Sequence, residues 1–251
     1  MLLLSILGCL LLGLLGQGIS WANAARWAIN YQPPQEVAWA NPTNYGPRFR
    51  QDIYGVPATN APIVVLHETV SSADSAINFF QTPHPNDADQ ASYHALIRLN
   101  GTIVYTVPFE YRAFGAGNSV FMSERGPEAV QTNPKYPGSV NNFAYHFSFE
   151  TPVDGRHNGN SHSGYTLNQY RSLAWLVAYT KVPNTRITFH KWVDRSGSRK
   201  DPRSFNHRLF LTALQQYRQA ADRNSPVPII AQVRSPSDED EEVKSSLDAF
   251  S

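Results

Sequence analysis

The chain predicts an α/β domain, and three observations carry that reading. Short apolar runs of strand length alternate with amphipathic helical stretches, and an Asn-Gly turn joins two of the runs. About 200 residues lie between an apolar N-terminal stretch and an acidic C-terminal one, enough for one core that needs no staples. The first run, Pro62 to Leu66, is apolar without interruption, as in a strand buried on both faces, and it ends in His67. Ser72 is placed to cap a short helix over Ala73 to Gln81. Ser92 to Leu99 and Thr102 to Pro108 flank Asn100-Gly101, which predicts a hairpin whose two turn residues both take positive φ. Phe143 to Glu150 is an aromatic-rich strand. Thr166 and Gln169 make a capping box that opens a helix burying Leu173, Leu176 and Val177 and ending before Pro183. Arg186 to His190 returns as a strand, and Ser204 to Ala221 closes the domain as a helix with Phe205, Leu209 and Leu214 among its apolar residues. The Gly-, Pro- and Asn-rich stretch from Gly115 to Asn142 reads as a substrate-shaping loop.

The two ends fall outside this domain. Met1 to Ile19 is apolar and uncharged apart from the amino group, and Ala22-Asn23-Ala24 supplies a small-x-small site, so residues 1–24 are expected to be a signal peptide. Residues 25–59 are expected to pack on the domain as an extension, residues 60–222 to form it, and residues 223–251 to be a disordered acidic tail. Cys9 is the sole cysteine. A chain cleaved after it can use neither disulfides nor thiolate ligands nor a thiol nucleophile. Two basic against six acidic side chains in residues 232–251 leave the remainder mildly basic. That suits an anionic polymer and falls short of what a nucleic-acid binder carries, so no nucleic-acid partner is expected.

Of the eight histidines, His67 and His190 stand out because each closes an apolar strand, where α/β sheets present their sites. Asp201 follows His190 by eleven positions, and two imidazoles with one carboxylate suit a zinc ion that keeps a position open for water. His84, His157, His162 and His207 lie in loop-like or helix-surface contexts and are read as structural or exposed. His146, inside a strand-like run, either lines the site or fills a wall.

The flanking sequence narrows the chemistry. Val65-Leu66-His67, then Ala91-Ser92-Tyr93-His94-Ala95-Leu96-Ile97, Asn100-Gly101-Thr102-Ile103, Val107-Pro108, Arg112-Ala113-Phe114-Gly115-Ala116-Gly117, and last His190 with Asp201-Pro202-Arg203-Ser204-Phe205 occur in that order. Together they resemble the zinc-dependent N-acetylmuramoyl-L-alanine amidases, shared by bacterial muropeptide amidases, phage amidase lysozymes and animal peptidoglycan recognition proteins. The resemblance spans roughly residues 60–215. It implies a single domain with a central mixed β-sheet flanked by helices and a Zn²⁺ site at the strand ends. In that family His67, His190 and Asp201 match the three metal ligands and Tyr93 the catalytic tyrosine of the phage and animal branches. Where bacterial relatives carry a catalytic glutamate this chain has Ser148, and Glu150, two residues on, either reaches the site from the same strand face or faces solvent. Register places Arg199 where bacterial and phage relatives hold a catalytic lysine, with Lys200 in reserve. Gly115 stands where those relatives have a histidine, a change expected to alter substrate contact rather than the metal. The implied reaction is hydrolysis of the amide between N-acetylmuramic acid and L-alanine, on peptidoglycan or muropeptides. The chain is expected to act as a monomer in the periplasm or extracellular envelope, with no stable membrane insertion after cleavage. Members that lose the metal serve as peptidoglycan-binding modules, which is the alternative.

Overall fold

The computed structural model describes residues 31–221, so the expected signal peptide and the whole of the expected acidic tail lie outside the described residues. In chain order the elements are β1 (Gln35–Val37), β2 (Tyr45–Pro47), β3 (Ile63–Glu68), α1 (Ala73–Gln81), β4 (Ala95–Ile97), β5 (Ile103–Tyr105), β6 (Tyr111–Ala113), β7 (Phe121–Ser123), β8 (Gly126–Glu128), β9 (Ala144–Phe149), α2 (Leu167–Thr180), β10 (Ile187–Phe189), α3 (His190–Val193) and α4 (His207–Ala221). Six strands form one sheet in the order β1-β5-β4-β9-β3-β10. Its β4–β5 pair is antiparallel, whereas β1–β5, β4–β9, β9–β3 and β3–β10 are parallel, so the sheet is mixed as expected.

Every residue of β3 is buried, which explains its uninterrupted apolar run. Val64 and Leu66 face the helical layer with Phe147, Phe149, Leu173, Leu176, Phe210 and Leu214. Each such leucine contributes about 1.5–3 kcal/mol by burial. Ile63 and Val65 point to the other face, against Ala116, Phe121, Val130, Val140 and Val193. The stretch from Gly115 to Asn142 is therefore more than a surface loop. Its hairpin β7–β8 and its apolar side chains roof that face of the sheet.

The helix starts follow local chemistry. Ser72 accepts from Ser75 N to start α1. Thr166 and Gln169 form the expected capping box of α2, and Gln169 Nε2 also donates to Ile97 O and Glu150 O, fastening the helix start to the sheet. The closing helix α4 begins at His207 rather than Ser204. Ser204 has φ +48°, outside the helical region, and Asn206 Oδ1 accepts from Leu209 N as the cap. The Asn-Gly turn also differs from expectation, because only Gly101 takes a positive φ, +93°. The turn is longer than a two-residue one: Arg98 N donates to Thr102 O, and Asn100 uses its side chain to accept from Thr102 N. Finally, the stretch 25–59 does more than pack on the domain, since it supplies edge strand β1 to the sheet and β2 to a pair with β6.

Candidate metal centre

Parallel pairing of β3 with β10 sets Phe189 opposite Leu66. The next residue in each segment is a histidine, so His67 on β3 and His190 just past the end of β10 meet at the same end of the sheet, with ring centroids 4.6 Å apart. His67 shares the face of Ile63 and Val65 by strand alternation, while His190 opens the short helix α3. Asp201 reaches them from the loop after α3. That loop is organised by the Asp194 carboxylate, which accepts from Ser196 N, Ser198 N and Arg199 N, and its far end is tied by Lys191 N donating to Asp201 O.

Asp201 Oδ2 lies 3.3 Å from His67 Nδ1 and 3.1 Å from His190 Nδ1. All three residues are buried, and one donor atom from each falls within 4.8 Å of the others. Zinc bonds of about 2.0–2.1 Å in a tetrahedron separate ligand atoms by about 3.3 Å, so the two Asp201 distances fit that ion. His67 Nδ1 is close to Asp201 Oδ2 yet makes no hydrogen bond of proper geometry, as expected of two lone-pair atoms aimed at a common point. Protonation states agree with ligation. Burial lowers the His67 imidazole to about 4 despite the Asp201 carboxylate beside it, leaving it neutral at neutral pH. Burial pushes the Asp201 carboxyl up, but its interactions with His190 and His67 outweigh that and hold it below the usual carboxylate range.

The ring of Tyr93 stacks on His67 at 4.5 Å and meets Phe80 of α1 edge-on. Burial first, and the Asp201 charge second, raise its phenol above the ordinary value, so the hydroxyl keeps its proton. Arg199 is exposed and close enough for its charge to act on both His67 and Tyr93. Lys200 is directed elsewhere, its Nζ donating to Asn158 O and Asn160 Oδ1. Glu150 is not brought to the donor cluster. Its Oε2 accepts from Leu99 N at 3.0 Å and its Oε1 from Arg156 Nη2 at 3.2 Å. The strand has ended at Phe149, so alternation no longer keeps Glu150 on the face of Ser148.

Two further features border the site. His146, which the sequence left between lining the site and filling a wall, lies against it, its Nδ1 2.9 Å from His67 Nε2. On the other face of β3, Glu68 accepts from Arg203 N, Nε and Nη2 and contacts His162 Nε2, so the residue after one candidate ligand is bolted to the loop carrying another. A charge ending an apolar run and a cation two residues past Asp201 were the only signals for that pair, and His162 offered none.

A family model for N-acetylmuramoyl-L-alanine amidases matches residues 57–204. The chain belongs to that family. The matched span of this amidase runs from before β3 to just past Arg203 and so contains every residue of the cluster. Among solved structures, the crystal structure of a selenomethionine derivative of AmpD shares its fold. That structure is 22% identical, the match covers 73% of this chain and 96% of that one, and the TM-score is 0.51. The hydrolase AmiA of Staphylococcus aureus, solved in complex with its ligand, is 14% identical over 82% of this chain and 95% of that one, with a TM-score of 0.48. The solution structure of Citrobacter freundii AmpD is 21% identical over 77% and 94%, with a TM-score of 0.45. No curated protein matches the amidase.

Proposed function

We propose that this member of the amidase family is a zinc enzyme that hydrolyses the amide between N-acetylmuramic acid and L-alanine in peptidoglycan or its muropeptides. The observation that carries the proposal is the convergence of donor atoms from His67, His190 and Asp201, with Asp201 Oδ2 3.3 and 3.1 Å from the Nδ1 atoms of the two histidines, beside the ring of Tyr93 stacked on His67. These three residues would hold the ion, which when bound supplies Lewis acidity to the scissile carbonyl and to water. Tyr93 keeps its proton and so donates a hydrogen bond to the carbonyl oxygen as negative charge builds there. Arg199, the cation whose field reaches Tyr93, adds positive potential at the same place. Glu150 is committed to Leu99 and Arg156 and has no part in the scheme. The apolar stretch before Ala22-Asn23-Ala24 supports action outside the cytoplasmic membrane, where peptidoglycan lies. Among the described residues no helix is long and apolar enough to cross a membrane.

The test is metal analysis of the purified protein together with digestion of intact sacculi and of soluble muropeptides. One zinc per chain, with release of L-alanine-headed stem peptides that stops in chelator and returns with zinc, is expected. A protein that holds no zinc and cleaves neither substrate, yet binds peptidoglycan, is a binding module instead.

A further inference from the structure

We infer that His146 is a positioning residue that sets the tautomer of His67, and that Gly115 lacks a side chain to leave room for the His146 ring. The inference rests on the metal reading above. A neutral imidazole has one N–H and one lone pair, and which nitrogen carries the proton is set by the hydrogen bond the other makes. His67 can offer its Nδ1 lone pair to a cation shared with Asp201 only if its proton sits on Nε2, and that N–H needs an acceptor at a buried site. His146 Nδ1, 2.9 Å away, is placed to be that acceptor, with the His146 proton on its own Nε2.

The surroundings hold the His146 ring in that pose. His94 N donates to His146 O and His146 N donates to His94 Nδ1, so backbone and neighbouring ring are cross-tied. The accepting role of His94 Nδ1 leaves its Nε2–H for Tyr111 O at 3.2 Å. On the remaining side a Cβ at Gly115 would stand 2.5 Å from His146 Cγ and Nδ1, closer than real Cβ atoms approach. His146 Nε2 is buried with no hydrogen-bond partner. An orphaned buried polar atom is disfavoured, and an apolar side chain would fill the same wall without one. A histidine kept for its other nitrogen accounts for it.

Zinc affinity of the full chain, measured by competition with a chromophoric chelator, tests this with His146→Leu, His146→Asn and Gly115→Ala. Leucine removes the acceptor, and its affinity is expected to fall about 10- to 100-fold, with a shifted visible spectrum of the cobalt-substituted protein. Asparagine offers Oδ1 close to where Nδ1 was and is expected to recover most of the loss. Gly115→Ala is expected to weaken zinc by displacing the ring, and to add little in the His146→Leu background, since both act through one contact. If His146→Leu does not fold, the asparagine and Gly115→Ala variants carry the measurement. Unchanged affinity in His146→Leu or in Gly115→Ala overturns the inference, as does an asparagine variant no better than the leucine one. Absence of zinc from the unmodified protein overturns the metal reading itself.

Discussion

Removal of the Tyr93 hydroxyl is expected to separate metal binding from rate, because the ring stacks on a proposed ligand without itself belonging to the donor set. Tyr93→Phe is expected to retain one zinc per chain while kcat falls about 10²-fold, the usual loss for one well-aimed oxyanion donor. An unchanged kcat would remove Tyr93 from the scheme. His190→Ala and Asp201→Ala are expected to lose zinc and activity together, as metal analysis beside a muropeptide assay will register. At this scale the candidate ligands were legible because His67 and His190 each close an apolar run, a local and visible signal. Glu150 was not, because its neighbourhood with Ser148 holds only for an ideal strand that continues past Phe149.

Strand β3 sends consecutive residues to opposite faces, His67 toward the candidate metal centre and Glu68 toward Arg203. The Glu68–Arg203 pair is buried, and Arg203 Nη1 and Nη2 also donate to the carbonyls of His157, Gly159 and Gly155. Arg203→Met leaves the Glu68 carboxylate buried without its cation, and about 3–5 kcal/mol of unfolding free energy is expected to be lost in urea titration. The double variant with Glu68→Gln should be less destabilised than that single one. A second clamp ties hairpin β7–β8 to the approach of β10, where Arg186 Nη1 and Nη2 donate to the two oxygens of Glu128 at 2.9 and 2.8 Å. The Arg186 hydrogen bonds hold the Glu128 carboxyl down at about 2 from an ordinary 4.5. A carboxyl depressed in the folded state stabilises the fold fully above about 4.5 and loses that contribution as pH falls toward about 2. The drop in unfolding free energy between pH 7 and pH 3 should therefore be smaller in Glu128→Gln, by about 1–2 kcal/mol. An identical drop in both proteins would show that the pair contributes nothing.

For the whole molecule, an ion bound only by the folded state adds RT ln(1 + [L]/Kd), about 2.7 kcal/mol at a hundredfold excess over Kd. In a domain of this size that corresponds to a rise in Tm of about 5–11 °C. Calorimetry is expected to show the rise with zinc in the unmodified protein and none in His190→Ala; equal responses would place the ion elsewhere. Much of this fold was present in the sequence. The family motifs, the order of strands and helices, and the identity of the candidate ligands all rest on signals confined to a few neighbouring residues: apolar periodicity, caps, and polar residues at strand ends. What only the tertiary structure decided are partnerships across long stretches of chain. Edge strand β1 pairs with β5, the Gly115 to Asn142 segment roofs the second face of the sheet, and Arg203 finds Glu68 over a separation of 135 residues. His146 likewise meets His67 across 79 residues, and Gly115 yields the space for it. Local patterning selects strand or helix and the face that is buried, but it carries no record of which distant side chain will fill the remaining space. That choice is made by close packing and by the need of buried polar atoms for partners, both of which exist only once the chain has folded.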